Sequence, residues 1–264
     1  MTLLWILSAT ATASDEKELA TITPGKLLSI EIDKSSAELP IARFGLNNVV
    51  VLDRKTYWRI LCGISLDTLP GRYLVYYHGN PTQEQPRSLN FTVEPSPPDS
   101  LNAIVPLSDL SADVPNALMS QTLTTTLEFE NSSEPSLPFI TPINNANREV
   151  NETQLAIDDS GGLWMQLNPT LDSQIIAPSH GIVSAITKND LGWFKVILDH
   201  GRGALSVIAT KAPLLVKVGS GVTRNQALTR SFVNEADTTA PASAYWQVVL
   251  NKATIDPLEL VHSD

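Results

Sequence analysis

The chain of 264 residues has one cysteine, four histidines and few cations, and each scarcity removes a class of explanation. A single thiol, Cys62, excludes an intrachain disulfide. It lies in the apolar run Ile60-Leu61-Cys62-Gly63-Ile64, where a buried, inert thiol is expected. A nucleophilic cysteine needs a base beside it, and no His is close in sequence. Eighteen Lys and Arg against 28 Asp and Glu leave a net charge of −10. That balance argues against nucleic acid as a partner, because phosphate binding needs a basic stripe to displace counterions. The runs of like charge are short, so the acidity reads as solvated surface. No stretch approaches the ~18 apolar residues that a spanning helix needs, and no helical period of useful length appears.

What is present is a succession of short strands. Gly25–Ile32 alternates with period two, Asn48–Leu52 is a second strand, and the turn Leu69–Arg72 feeds Tyr73–Tyr77. Ser88–Val93 closes this set, which predicts a small β-sandwich over residues 20–95. Three prolines within 95–98 mark a linker, and residues 96–135 read as an extended connector rich in Ser, Thr and Pro. The second domain, 136–264, carries strands at 174–177, 181–186, 193–198, 204–209, 214–218 and 245–250. The fold class is all-β. At the start, Leu3–Leu7 and Ala11-Thr12-Ala13 resemble the end of a secretory signal, although the segment is short and no Lys or Arg precedes it. Residues 1–13 are therefore read as a signal segment, with an ordinary strand as the other reading.

Four blocks in the second domain then make a specific resemblance. Ile176-Ala177-Pro178-Ser179-His180-Gly181-Ile182-Val183 and Val196-Ile197-Leu198-Asp199-His200-Gly201-Arg202-Gly203 come first. Val216–Val222 and Tyr245–Asn251, ending in Ile255-Asp256-Pro257-Leu258, follow in order. Together they resemble the lysostaphin (LytM-type) zinc murein endopeptidases. Thr23-Pro24-Gly25, Ile60–Leu66 and Pro70-Gly71-Arg72-Tyr73 are similar to the Ig-like module that precedes the peptidase domain in one branch of that family.

The resemblance implies a catalytic zinc held by two His and one Asp, with the fourth position left for the attacking water. In this chain Ser160, Trp164 and Tyr245 stand at the three ligand positions, and Ser243 at that of an assisting His. The other assisting His is expected within Val207–Thr210, where none occurs. His78, His180, His200 and His262 are the only imidazoles; none has an Asp four residues later, and there is no His-x-His. No catalytic residue, metal or cofactor is assigned. His200 and His180 read as a hairpin residue and a solvent-facing turn residue, and Asp158-Asp159 as a solvated loop, since one short pair supplies too few oxygens for calcium. Trp164, Tyr245, Trp246 and Ser243 either fill the former zinc cavity or face a groove that contacts a peptide, glycan or protein.

The expected function is a non-catalytic periplasmic or exported protein of the bacterial cell envelope. Its partners would be peptidoglycan or a cell-wall hydrolase such as an amidase. The alternatives are a metalloendopeptidase with residual activity and a structural module of an envelope assembly.

Overall fold

The computed structural model describes residues 18–34, 39–78, 86–97, 104–110, 133–144, 154–170, 172–232 and 244–261. The signal segment, Ser243, His262 and most of the connector lie outside them.

The N-terminal half holds eight strands: β1 (Glu18–Ile22), β2 (Leu27–Asp33), β3 (Ile41–Phe44), β4 (Asn47–Asn48), β5 (Val50–Asp53), β6 (Tyr57–Gly63), β7 (Gly71–His78) and β8 (Arg87–Val93). They form a five-stranded sheet in the order β1-β8-β7-β3-β4 and a three-stranded sheet β2-β6-β5. The two sheets close on a core that includes Ile30, Val51, Trp58, Ile60, Val75 and Phe91. Strand β2 alternates buried and exposed residues, as a strand with one wet face should. β5 and the end of β6 do not alternate. They are apolar and buried residue after residue, which is the pattern of a strand covered on both faces.

The second cover is the C-terminal half. Its strands are β9 (Ile104–Pro106), β10 (Ile143–Asn144), β11 (Leu155–Ile157), β12 (Leu163–Leu167), β13 (Gln174–Ile175), β14 (Gly181–Lys188), β15 (Phe194–Gly201), β16 (Ala204–Thr210), β17 (Gly221–Val222), β18 (Ala244–Leu250) and β19 (Ala253–Ile255), with one-turn helices α1 (Leu107–Leu110) and α2 (Leu258–Val261). Nine of these strands make one sheet, ordered β17-β14-β15-β16-β18-β12-β11-β9, with β19 also on β18. β18 is split between partners: Ala244–Trp246 pair with β12, and Val248–Leu250 pair with β19. One face of this sheet shares a core with Val50, Leu52 and Leu61 of the N-terminal half.

Polar contacts tie the same junction. The Val50 N–H donates to Asn251 Oδ1 at 3.2 Å. Glu134 accepts from the Asp53 N–H at 3.1 Å, from Arg54 at 3.2 Å and from Arg202 at 3.0 Å. Lys26 reaches Asp256 at 3.0 Å and Glu259 at 2.9 Å.

Two expectations change. Leu214–Val218 is not a strand: Leu214 makes only an isolated bridge to Thr229, the Leu215 N–H donates to the Leu228 carbonyl at 2.8 Å, and Leu215 and Val218 stay exposed. Conversely, the stretch read as connector supplies β9, which pairs in parallel with β11, and α1, whose Leu107 is buried.

Candidate functional site

The site expected from the sequence lies on the other face of the nine-stranded sheet. Tyr245 sits opposite Gln166 on the neighbouring strand, and Trp164 is two residues from Gln166, so Trp164 and Tyr245 project from the same face. Trp246 is one residue on and points to the opposite core. The sequence reading set Trp246 beside the other two, and the period of two separates them.

Trp164 and Tyr245 are each 0% exposed. They pack with Trp193, Ile197, Leu205, Val207, Ala209 and Val249, and Leu107 of α1 covers the cluster. Trp193 and Tyr245 rings lie 5.9 Å apart, tilted by 43°. Trp246 is also 0% exposed. None of the three described aromatics therefore presents a face to a ligand: of the two alternatives, the burial fits filling of the interior and not a groove contact. Rings of this size gain most from complete burial, since each removes about 150–250 Å² of surface from water.

Asp158 is where the sequence reading fails most clearly. It is 5% exposed, not a solvated loop residue. Its Oδ1 accepts from the Ser160 N–H at 2.9 Å, the Ser160 hydroxyl at 2.6 Å and the Gly162 N–H at 2.8 Å. Its Oδ2 accepts from the Trp164 indole N–H at 2.8 Å. Gly162 is required there, since a Cβ would fall 2.6 Å from Asp158 Oδ2 and 2.7 Å from Gln247 Nε2. The signal in the sequence was Asp158-Asp159-Ser160-Gly161-Gly162 between two apolar runs, the composition of a turn held by a carboxylate. Lys195 is buried near this centre; burial lowers its pKa, partly opposed by the negative charge of Asp158.

A zinc ion does not fit these side chains. The Trp164 indole N–H and the Ser160 hydroxyl are donors already given to Asp158, and Tyr245 is enclosed in an apolar cluster. Zinc requires imidazole, thiolate or carboxylate lone pairs aimed at one point. Among the described residues, no group of three His, Cys, Asp or Glu side chains could hold a metal ion.

His200, on the opposite face, is 2% exposed. Nδ1 lies 2.7 Å from the His180 carbonyl, which can only accept, so this nitrogen carries the proton. Nε2 then accepts from the Ser206 hydroxyl at 2.9 Å. Burial pushes the His200 pKa down to about 4; the His180 carbonyl pulls the other way, and the neighbouring His180 ring adds a small lowering. With Phe139 edge-on at 4.7 Å, this imidazole is a neutral strut of the β15–β16 hairpin. His180 is exposed, as the sequence reading placed it.

No family model matches the sequence, and no curated protein matches it. Among solved structures, a candidate M23 peptidase from Pseudomonas aeruginosa aligns with 90% of this chain and 94% of its own, at TM-score 0.62 and 20% identity. The chain has the LytM-type (M23 peptidase) fold. A zinc-containing peptidase from Vibrio cholerae covers 49% of this chain and 41% of its own at TM-score 0.37 and 15% identity. The lysostaphin catalytic domain from Staphylococcus simulans covers 40% and 83% at TM-score 0.29 and 17% identity. The likeness to the Pseudomonas structure runs through both halves of the chain.

Proposed function

We propose that this chain is a non-catalytic LytM-like protein of the bacterial cell envelope, exported to the periplasm, that binds peptidoglycan or regulates a cell-wall hydrolase. The observation that supports the reading is the Trp164 indole, whose N–H is committed to Asp158 at 2.8 Å, at the place where the sequence resemblance puts a zinc ligand. Imidazole and carboxylate lone pairs are what such a site would need, and an indole offers none. In this reading residues 20–95 are an Ig-like module, 96–135 a connector and 136–264 a degenerate peptidase domain. No helix among the described residues is long and apolar enough to cross a membrane.

The test uses the full chain with purified murein sacculi and with a cell-wall amidase. The reading expects no release of peptide from sacculi by the protein alone, with or without added zinc. It also expects cosedimentation with sacculi or a rise in amidase activity. Zinc-dependent peptide release by the isolated chain would contradict it and favour the metallopeptidase alternative.

A further inference from the structure

The five-stranded sheet of the N-terminal half turns one face away from its core. Ala42, Val75 and Tyr77 point inward, so the alternate residues point out: Ile41 and Arg43 from β3, and Arg72, Leu74, Tyr76 and His78 from β7. The register sets Arg43 opposite Tyr76 and Ile41 opposite His78. Ile41 is 58% and Tyr76 43% exposed. On β8 the outward residues Ser88, Asn90 and Thr92 carry no charge. The next position of that outward row, Glu94, is acidic and lies at the end of β8, its N–H donating to the Ile22 carbonyl of β1 at 2.8 Å.

On the three-stranded sheet and its flank, Lys34 pairs with Asp53, Arg59 with Glu31, and Arg54 with Glu134. Arg43 and Arg72 have no ion pair among the described residues; Arg43 donates from Nε to the neutral Asn48 side chain at 3.1 Å. In a chain of net charge −10, the outward rows of β3 and β7 set two guanidinium groups among a tyrosine and aliphatics and hold no Asp, Glu or Lys. Tyr and Arg are enriched, and Lys, Asp and Glu depleted, at the centres of protein interfaces.

We propose that this face docks a protein partner with an acidic surface. The guanidinium forks of Arg43 and Arg72 would pair with its carboxylates, while Ile41, Leu74 and Tyr76 supply apolar contact. Elsewhere the net charge of the chain repels such a partner, so the charge pattern also selects the docking orientation. This surface is independent of the lost zinc site and of the function proposed above.

A short poly-L-glutamate peptide serves as the probe, titrated calorimetrically into the full chain at low and physiological salt, with hydrogen exchange to locate it. Binding should weaken with salt and should protect residues 41–44 and 72–78. It should fall by about tenfold or more in R43E/R72E, and by less in R43Q/R72Q, while R224E/R230E binds as the parent does. Exposed strand substitutions of this kind leave folding largely intact, which thermal unfolding verifies. No binding, protection elsewhere, or equal binding by R43E/R72E would overturn the proposal. Polygalacturonate bound as tightly at the same residues would replace the protein partner with an acidic glycan. A dimer in sedimentation that R43E/R72E abolishes would make the occupant a second copy, and either result refutes the proposal as stated.

Discussion

Asp158 takes four hydrogen bonds in a setting where its residue is 5% exposed. Removing a buried carboxylate strands every donor it served, so Asp158→Ala should cost about 2–4 kcal/mol. Asp158→Asn should recover little of this, because an amide that keeps its oxygen on the Ser160 side turns its N–H₂ against the Trp164 indole N–H. Urea denaturation of the two variants checks both statements. His200 gives a pH dependence of known sign. Its folded pKa, about 4, lies below the ordinary value near 6.5, so the unfolded chain binds the extra proton between those two pH values. Stability is therefore whole above pH 6.5 and falls as pH drops toward 4, by roughly 3 kcal/mol in total. Stability measured against pH should show that slope in the parent and lose it in His200→Gln.

At the scale of elements, the β15–β16 hairpin is fixed by backbone that a side chain would obstruct. Gly201 has φ +97°, and a Cβ there would fall on the Ser133 carbonyl. Gly201→Ala should lower the unfolding temperature more than Gly192→Ala, whose φ of +82° is equally left-handed but whose Cβ meets nothing within 4 Å. Much at this scale was legible: alternation gave β2, and short runs bounded by turn residues gave β5, β7 and β8, while Tyr57–Gly63, noted only for its apolar run, was not read as the strand β6 that it is. The run around Cys62 also marked an inert thiol. Burial pushes its pKa up to about 12, so it should resist alkylation in the native protein and react once denatured. What was not legible depended on which face a strand presents after assembly. Nothing local separates Trp164 from Trp246, and nothing local says that Asp158 is roofed by Trp164 while Asp159 is exposed. The β9–α1 segment was missed because three strand residues and one helical turn are too short to show a period.

The whole molecule is organised around the shared core of Val50, Leu52 and Leu61 with the nine-stranded sheet. Each such side chain contributes about 1.5–3 kcal/mol by leaving water, and those contributions exist only while both halves are joined. Leu52→Ala should therefore cost about 2–5 kcal/mol. The two halves should unfold in one transition, followed by the tryptophan fluorescence of Trp58 and Trp246 variants. Separate transitions would show that the junction does not couple them. The chain keeps the LytM-type sheet, and on the face opposite that core the proposed reading puts Ser160, Trp164 and Tyr245 at the zinc-ligand positions. The most direct test is the metal content of the purified protein after incubation with excess zinc and dialysis. The account predicts substoichiometric zinc in the folded chain, with no change in unfolding temperature on zinc addition. One tightly held zinc per chain, raising that temperature, would contradict it.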